Sequence, residues 1–310
     1  MKTKRYISID GGTSNTRISL VENGKAVDTL KFPVGARAGI SDKDLLPSTI
    51  KGGIRDILKK NSLANADIEK ILASGMITSE SGLVALPHAT LPAGLAELKK
   101  ASFETILADI TTIPFVFMRG VKADAEGFEN ADMVRGEETE IMGLSDAGDG
   151  VYMLMGSHTK LMKLEGGKIV DSATTLTGEL IAALATGTIL KDSFSLNFED
   201  FDEAMLFRGF DYAKDLGINE ALFKTRILKN LFAKTELEAY SFFLGACLSG
   251  EVKAAEKFQA KKILIGGKRQ LKRAIFALLE RAGFDAEMLS DAAVDESVIK
   301  GQLKIYEYEV

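Results

Sequence analysis

The chain has one cysteine and two histidines in 310 residues, and no apolar run near the roughly 20 residues needed to span a bilayer. A single cysteine excludes an intrachain disulfide and a cysteine-rich zinc site. Cys247 lies in Phe242-Phe243-Leu244-Gly245-Ala246-Cys247-Leu248, a setting for a buried structural thiol rather than a nucleophile. Positive charge is also short. The 39 Lys and Arg against 44 Asp and Glu leave a formal charge of −5, which argues against a nucleic-acid surface. Any anionic ligand must therefore be held by local groups. Met1-Lys2-Thr3-Lys4-Arg5 leads into a strand without an apolar signal core, so no membrane partner and a cytoplasmic location are expected.

What is present describes a soluble globular protein: 46% apolar and 27% charged residues, in a length that suits two lobes, each with its own core. The stretch that organises the rest is Ile7-Ser8-Ile9-Asp10-Gly11-Gly12-Thr13-Ser14-Asn15-Thr16-Arg17-Ile18-Ser19-Leu20. Tyr6 to Ile9 alternates as a strand, a turn of small residues follows, and Ile18, Leu20 and Val21 resume a strand before Asn23-Gly24. Paired glycines let the backbone approach a bulky anion, and Thr13, Ser14 and Asn15 add short donors. Asp10 at the strand end is suited to Mg²⁺, which takes one or two carboxylates and keeps most of its waters. The same residues also fit a plain β-hairpin with a polar turn. A Walker loop and a dinucleotide fingerprint are excluded, because no Gly-Lys-Ser/Thr closes the turn and a strand, not a helix, follows it.

Along the chain, Lys25 to Val34 reads as a third strand and Asp44 to Lys60 as a helix. Ile68 to Ala73 reads as a buried strand ending in Ser74-Gly75-Met76, small residues at a strand's carboxyl end, where open α/β sheets bind ligands. Leu91 to Leu95 begins a short helix, Ile113 to Val121 is another strand leading to Met118-Arg119-Gly120, and Asp132 to Leu144 opens a helix. Glu137 and Glu138 in that helix's first turn either cap it or supply a general base. Ser145 to Gly150 has the composition of a lobe boundary. Beyond it the opening pattern returns: strand Val151–Met155, turn Gly156-Ser157-His158-Thr159, strand from Lys160, turn Gly166-Gly167, strand Lys168–Thr174. A helix from Thr177 to about Leu190 and a largely helical run from Phe198 to Ala260 follow, with Leu222, Phe223, Ile227, Leu228, Leu231 and Phe232 assigned to core. Lys262 to Leu271 is a strand–glycine–helix junction whose helix continues to Arg281, and Ala292 to about Tyr308 a closing helix. These readings give an N-terminal lobe at 1–145 with helix 292–308 packing back on it, and a C-terminal lobe at 150–291.

Two lobes that each begin with a three-strand meander and a small polar turn resemble the actin-like ATPase superfamily. Seven short blocks in order narrow this: Asp10 to Arg17, Ala73-Ser74-Gly75-Met76, Pro92-Ala93-Gly94-Leu95, Met118-Arg119-Gly120, Arg135-Gly136-Glu137-Glu138-Thr139, Gly156-Ser157-His158-Thr159-Lys160 and Thr177-Gly178-Glu179-Leu180. Together they resemble the 2-dehydro-3-deoxygalactonokinase family. The resemblance implies an α/β, two-lobed actin-like ATPase (ribonuclease H-like) fold, each lobe a mixed sheet flanked by helices. It implies ATP-dependent phosphorylation of the 6-hydroxyl of 2-dehydro-3-deoxy-D-galactonate, with ATP, Mg²⁺ and a small sugar acid as partners, and leaves a homodimer open.

By that resemblance Asp10 orients the Mg²⁺ shell. Gly11, Gly12, Thr13, Ser14 and Asn15 form the first phosphate loop, Gly156, Ser157, His158 and Thr159 the second, and Gly266 and Gly267 face adenosine. Ser74, Gly75 and Met76 line the sugar acid, and Arg119 and Arg135 are candidates for its carboxylate, as bidentate guanidinium donors or as plain ion-pair partners. The Gly-Glu-Glu element resembles the one that places the base of exopolyphosphatases, which makes Glu138 the base with Glu137 in reserve. His88 reads as incidental. Two departures stand out: Met153 and Met155 occupy a strand end where many superfamily members carry an aspartate, and Gly11 replaces a common aromatic. An exopolyphosphatase-like phosphohydrolase and a non-catalytic sugar sensor on the same fold are the rival readings.

Overall fold

In the computed structural model, residues 3–123, 127–259, 261–267 and 269–309 are described. Lys268, inside the predicted glycine junction, and Ala260, at the end of the predicted helical run, lie outside them. The chain divides into two compact units. Unit 1 comprises Met1–Gly148, Leu164–Ser172 and Ala292–Val310, and unit 2 comprises Asp149–Lys163 and Ala173–Asp291.

Unit 1 opens with a meander, β1 (Arg5–Gly11), β2 (Thr16–Glu22) and β3 (Lys25–Phe32), followed by α1 (Ala38–Ser41), α2 (Leu45–Lys60) and β4 (Lys70–Gly75). Short pieces come next: β5 (Ala89–Thr90), β6 (Ala93–Gly94), α3 (Leu95–Ala101), β7 (Phe103–Thr105), β8 (Phe115–Phe117), β9 (Val121–Ala123), β10 (Asp132–Val134) and α4 (Glu137–Leu144). The main sheet has the order β3-β2-β1-β4-β8-β7, and a small sheet the order β10-β9-β5. Strand alternation explains the layering. Ile7 and Ile9 of β1 join Ile18 and Leu20 of β2 and the apolar stripe of α2, Leu46, Ile50, Ile54 and Ile57, in one buried core.

In chain order, unit 2 adds β11 (Gly150–Met155), β12 (Thr159–Glu165), β13 (Lys168–Thr175), α5 (Thr177–Gly187), α6 (Glu203–Leu216), α7 (Ile218–Phe232), α8 (Glu236–Lys257), β14 (Lys262–Gly267), α9 (Arg269–Arg281) and β15 (Asp285–Met288). The sheet order is β15-β14-β11-β12-β13, with β11 and β14 parallel. This repeats the order of unit 1, where β1 and β4 are parallel. The tip of the β12–β13 hairpin belongs to unit 1, where β13 pairs with β6 through Lys168 to Gly94 and Ile169 to Ala93. The closing helix α10 (Asp291–Glu307) is helical to Glu307, and its residues from Ala292 onward belong to unit 1. Two mixed sheets, each begun by a three-strand meander and flanked by helices, constitute the actin-like ATPase (ribonuclease H-like) fold.

Four local expectations are corrected. Ile113 to Val121 is not one strand: β8 and β9 belong to different sheets, and the chain breaks at Gly120, where a β-carbon would overlap the carbonyl oxygen of Val134. Helix α4 starts at Glu137 and not at Asp132, because Gly136 has φ +116°, outside the helical region, and Asp132–Val134 pairs as a strand. The helix from Thr177 stops at Gly187, with a 3₁₀ turn at Ile189–Asp192. Finally, Phe223, Leu231 and Phe232 are not core. They are 52%, 73% and 67% exposed, because α7 buries the small residues Ala221 and Thr225 and turns the large ones outward.

Candidate functional site

In unit 1, three backbone segments meet at the end of β1 because each contributes a glycine. Gly11 pairs with Gly75 across β1 and β4. A β-carbon on Gly75, which has φ +88°, would sit 2.6 Å from the Gly11 oxygen, and one on Gly136 would sit 3.0 Å from Gly75 Cα. Only glycine permits that approach, so the start of α4 comes to lie against the two strand ends. Further along, Gly143 of α4 and Gly301 of α10 have no room for side chains against Ser297 and Thr139. Gln302 of α10 ties the strands together: it donates to Ile9 O at 3.0 Å and to Ser74 Oγ at 2.9 Å, and accepts from Ser8 Oγ at 2.6 Å.

The predicted phosphate loop is a closed turn, with Gly12 N–H on Asn15 O at 2.9 Å. Ala36 and Arg37 N–H take the Gly12 and Thr13 carbonyls, while Thr13, Ser14 and Asn15 are exposed. Asp10 faces Arg17 in register, and burial raises its carboxyl above the usual range against the opposing pull of Arg17. Of the α4 carboxyls, Glu140 is the one that feels the charge of Asp10. Glu138 is completely buried, accepts from Gly136 N–H at 2.7 Å and Thr139 Oγ1 at 2.8 Å, and is pushed up to about 7 chiefly by burial. Glu140 is pushed up to about 8 by burial and by the charges of Glu137 and Asp10. Glu137 accepts from Arg135 N–H at 3.1 Å.

The substrate candidates separate. Ser74 is buried, with its hydroxyl held by Gln302, and Met76 is half-buried in the 3₁₀ turn after Gly75. Arg135 spends its guanidinium on the protein: it donates to Thr78 O at 2.7 Å, Thr78 Oγ1 at 2.8 Å and Leu86 O at 3.2 Å, and meets His88 Nδ1 at 3.3 Å. His88, expected to be incidental, is thus part of a brace, and burial and Arg135 lower its pKa. Arg119 differs, because its buried Nε has no partner among the described residues.

In unit 2 the second turn carries an exposed Ser157 and a half-buried His158, whose Nε2 lies 3.4 Å from Glu179 Oε1. Thr159 is wholly buried, its hydroxyl toward Met155 Sδ at 3.8 Å. Glu179 N–H donates to Ser157 O at 2.9 Å, and Gly178 has no space for a β-carbon beside the Gly156 oxygen. The start of α5 therefore presses on the turn. Gly266 and Gly267 pair with Leu154 and Met155, and Gly267, with φ +100°, abuts Met155 as closely as backbone allows.

Four residues escaped the sequence reading. Glu140 is legible only as a third carboxylate in the run from Glu137. Glu251 shows a clearer signal, an acid on the stripe of Leu244, Cys247, Leu248 and Ala255 that α8 buries. Lys160, quoted within the second-turn block but given no role of its own, is 9% exposed with Nζ on Thr174 Oγ1 at 3.1 Å, and Gln302 carries no signal.

Comparison with known proteins adds to this geometry. The family described as 2-keto-3-deoxy-galactonokinase matches residues 10–304. DgoK1 of Rhizobium meliloti (strain 1021), assigned as a 2-dehydro-3-deoxygalactonokinase, is 25% identical over 84% of this chain and 78% of its own. The 2-dehydro-3-deoxygalactonokinase of Escherichia coli (strain K12) is 23% identical over 83% of this chain and 82% of its own. A solved structure from Sinorhizobium meliloti, also assigned as a 2-dehydro-3-deoxygalactonokinase, superposes with a TM-score of 0.79 at 20% identity, covering 97% of this chain and 95% of that one, and shares the fold.

Proposed function

The chain belongs to the 2-keto-3-deoxy-galactonokinase family, and from that premise we propose that it transfers the terminal phosphoryl group of ATP to the 6-hydroxyl of 2-dehydro-3-deoxy-D-galactonate. It is a carbohydrate kinase. The observation that best supports the finer reading is the buried, strongly raised Glu138 on a helix start that glycines bring against the strand end bearing Asp10.

In this reading Glu138 accepts the proton of the 6-hydroxyl as its oxygen forms a bond to the γ-phosphorus and the bond from that phosphorus to the bridging oxygen of ADP breaks. A base with a pKa near 7 suits this task at neutral pH. Glu137, bonded to the Arg135 backbone, is the second choice. Thr13, Ser14 and Asn15 offer donors to phosphate oxygens, as do Gly156, Ser157 and His158, and Gly266 and Gly267 face adenosine. Thr159, being buried, serves through its backbone. Arg119 binds the substrate carboxylate, since its buried Nε has no partner among the described residues. Arg135, Ser74, Gly75 and Met76 shape the wall beside it.

The donor set also fits Mg²⁺. Asp10 offers one carboxylate, and among the described residues no three acidic, histidine or cysteine groups form an all-protein cage. That suits an ion held through one protein oxygen, water and phosphates. Glu140, raised by burial and by the charges of Glu137 and Asp10, would be eased by a cation beside Asp10. When bound, Mg²⁺ neutralises charge on the phosphates.

A coupled ADP-release assay across 2-dehydro-3-deoxy sugar acids of both C4 configurations tests the proposal. Preference for the galactonate isomer is the expected result. Turnover of an unrelated polyol instead would remove the substrate assignment, and ATP hydrolysis indifferent to any sugar acid would favour the phosphohydrolase alternative.

A further inference from the structure

Glu251 is completely buried in the middle of α8. A carboxylate out of reach of water needs protein donors. Thr175 Oγ1 donates to its Oε1 at 2.6 Å, and Thr177 Oγ1 stands 3.3 Å from Thr175 Oγ1, forming a short hydroxyl chain. Burial raises the Glu251 carboxyl above the usual range, Thr175, Thr177 and Thr159 pull in the opposite direction, and Oε2 closes no hydrogen bond among the described residues.

The three threonines are not scattered. Thr159 ends the second polar turn, Thr175 ends β13, and Thr177 is the first residue of α5, whose Gly178 and Glu179 press on Gly156 and Ser157. One buried carboxyl thus gathers the segments that frame the turn. The strand that feeds the turn ends in Met153 and Met155, so it offers no carboxyl of its own to do this.

We propose that Glu251 is a positioning residue for ATP, fixing the shape of the second phosphate turn through Thr159, Thr175 and Thr177. This rests on the reading that Gly156 to Thr159 contacts phosphate. The residue touches no ligand itself. It sets the spacing of the backbone N–H groups that do, and such preorganised donors lose their advantage when their support is removed.

Steady-state kinetics of Glu251→Met and Glu251→Gln tests this. Methionine removes both acceptors at similar volume, and the expected result is an ATP KM raised about tenfold with the sugar-acid KM within about twofold. Glutamine keeps one acceptor for Thr175, and the expected result is recovery to within about threefold of wild type. A folded Glu251→Met protein with unchanged ATP KM overturns the proposal, and so does one in which both KM values rise together. Should Glu251→Met fail to fold, Thr177→Val carries the test: an ATP KM raised about threefold supports it, and no change overturns it. Gly178→Ala keeps the two failures apart, because an unchanged ATP KM in that variant removes the phosphate-turn reading itself rather than the role of Glu251.

Discussion

In unit 1 the first strand of the meander carries Asp10 just before its end at Gly11, and α4 begins with Glu137, Glu138 and Glu140, of which Glu140 feels the charge of Asp10 and the opposing pull of Arg17. In unit 2 the matching strand ends on Met153 and Met155, and the turn beyond it carries Ser157 and His158. The sheet order is the same in both. What differs is which side chains stand at the strand end and what holds the turn: in unit 1 a column of glycines and the Gln302 network, in unit 2 the start of α5 and a buried Glu251. One topology thus presents two different sets of side chains, a group of carboxyls in unit 1 and a turn of small polar residues with His158 in unit 2, because loops tolerate change that the sheets beneath them do not.

The sharpest way to break this contrast is to remove the acid–base group of unit 1. Glu138→Gln is expected to lower kcat by roughly 10²–10⁴-fold with little change in ATP KM. In wild type the acidic limb of the pH–rate profile should fall near the Glu138 pKa of about 7 and vanish in the variant. If Glu137→Gln has that effect and Glu138→Gln does not, the base moves by one residue. If His158→Gln matches it, the division of labour between the units is wrong.

A smaller effect separates the two guanidinium groups of unit 1. Arg119→Gln should raise the sugar-acid KM by roughly 10–100-fold and leave ATP KM alone, as expected when a charged donor to a carboxylate is lost. Arg135→Gln should act mainly on stability, since its bonds go to Thr78 and Leu86. Measuring KM for both substrates and the thermal midpoint of each variant decides between them, and a reversed pattern would exchange the roles.

The smallest expected effect is on stability against pH. Glu138 and Glu140 bind protons more tightly in the fold than their ordinary value of 4.5, at about 7 and about 8. The stability they contribute is fully present below about 4.5 and is lost as pH rises through about 7 to 8. Urea denaturation without Mg²⁺ should therefore show stability falling between about pH 4.5 and 8, and Glu140→Gln should flatten the slope by about 1.4 kcal/mol per pH unit. An unchanged slope would mean that Glu140 is not crowded by Asp10 and Glu137.

How much was legible varied by element. The two meanders and the closing helix were readable because strand alternation and Asn23-Gly24 or Gly166-Gly167 turns are local signals. The break at Gly120, the late start of α4 and the outward face of α7 were not, because each depends on what packs against the segment: the Val134 carbonyl, Gly75, and the small residues that α7 buries.

The sequence alone determined the α/β class, the repeated meander and the family, because these rest on local periodicity and ordered short motifs. Only the tertiary structure decided that Arg135 braces a loop while Arg119 keeps a nitrogen without a partner among the described residues, that Thr159 turns inward, that Glu140 feels the charges of Glu137 and Asp10, and that Glu251 and Gln302 are buried polar groups with hydrogen-bond partners. Partnership and burial are properties of residues far apart in the chain, such as Gln302 on Ile9, and no spacing along the sequence encodes them.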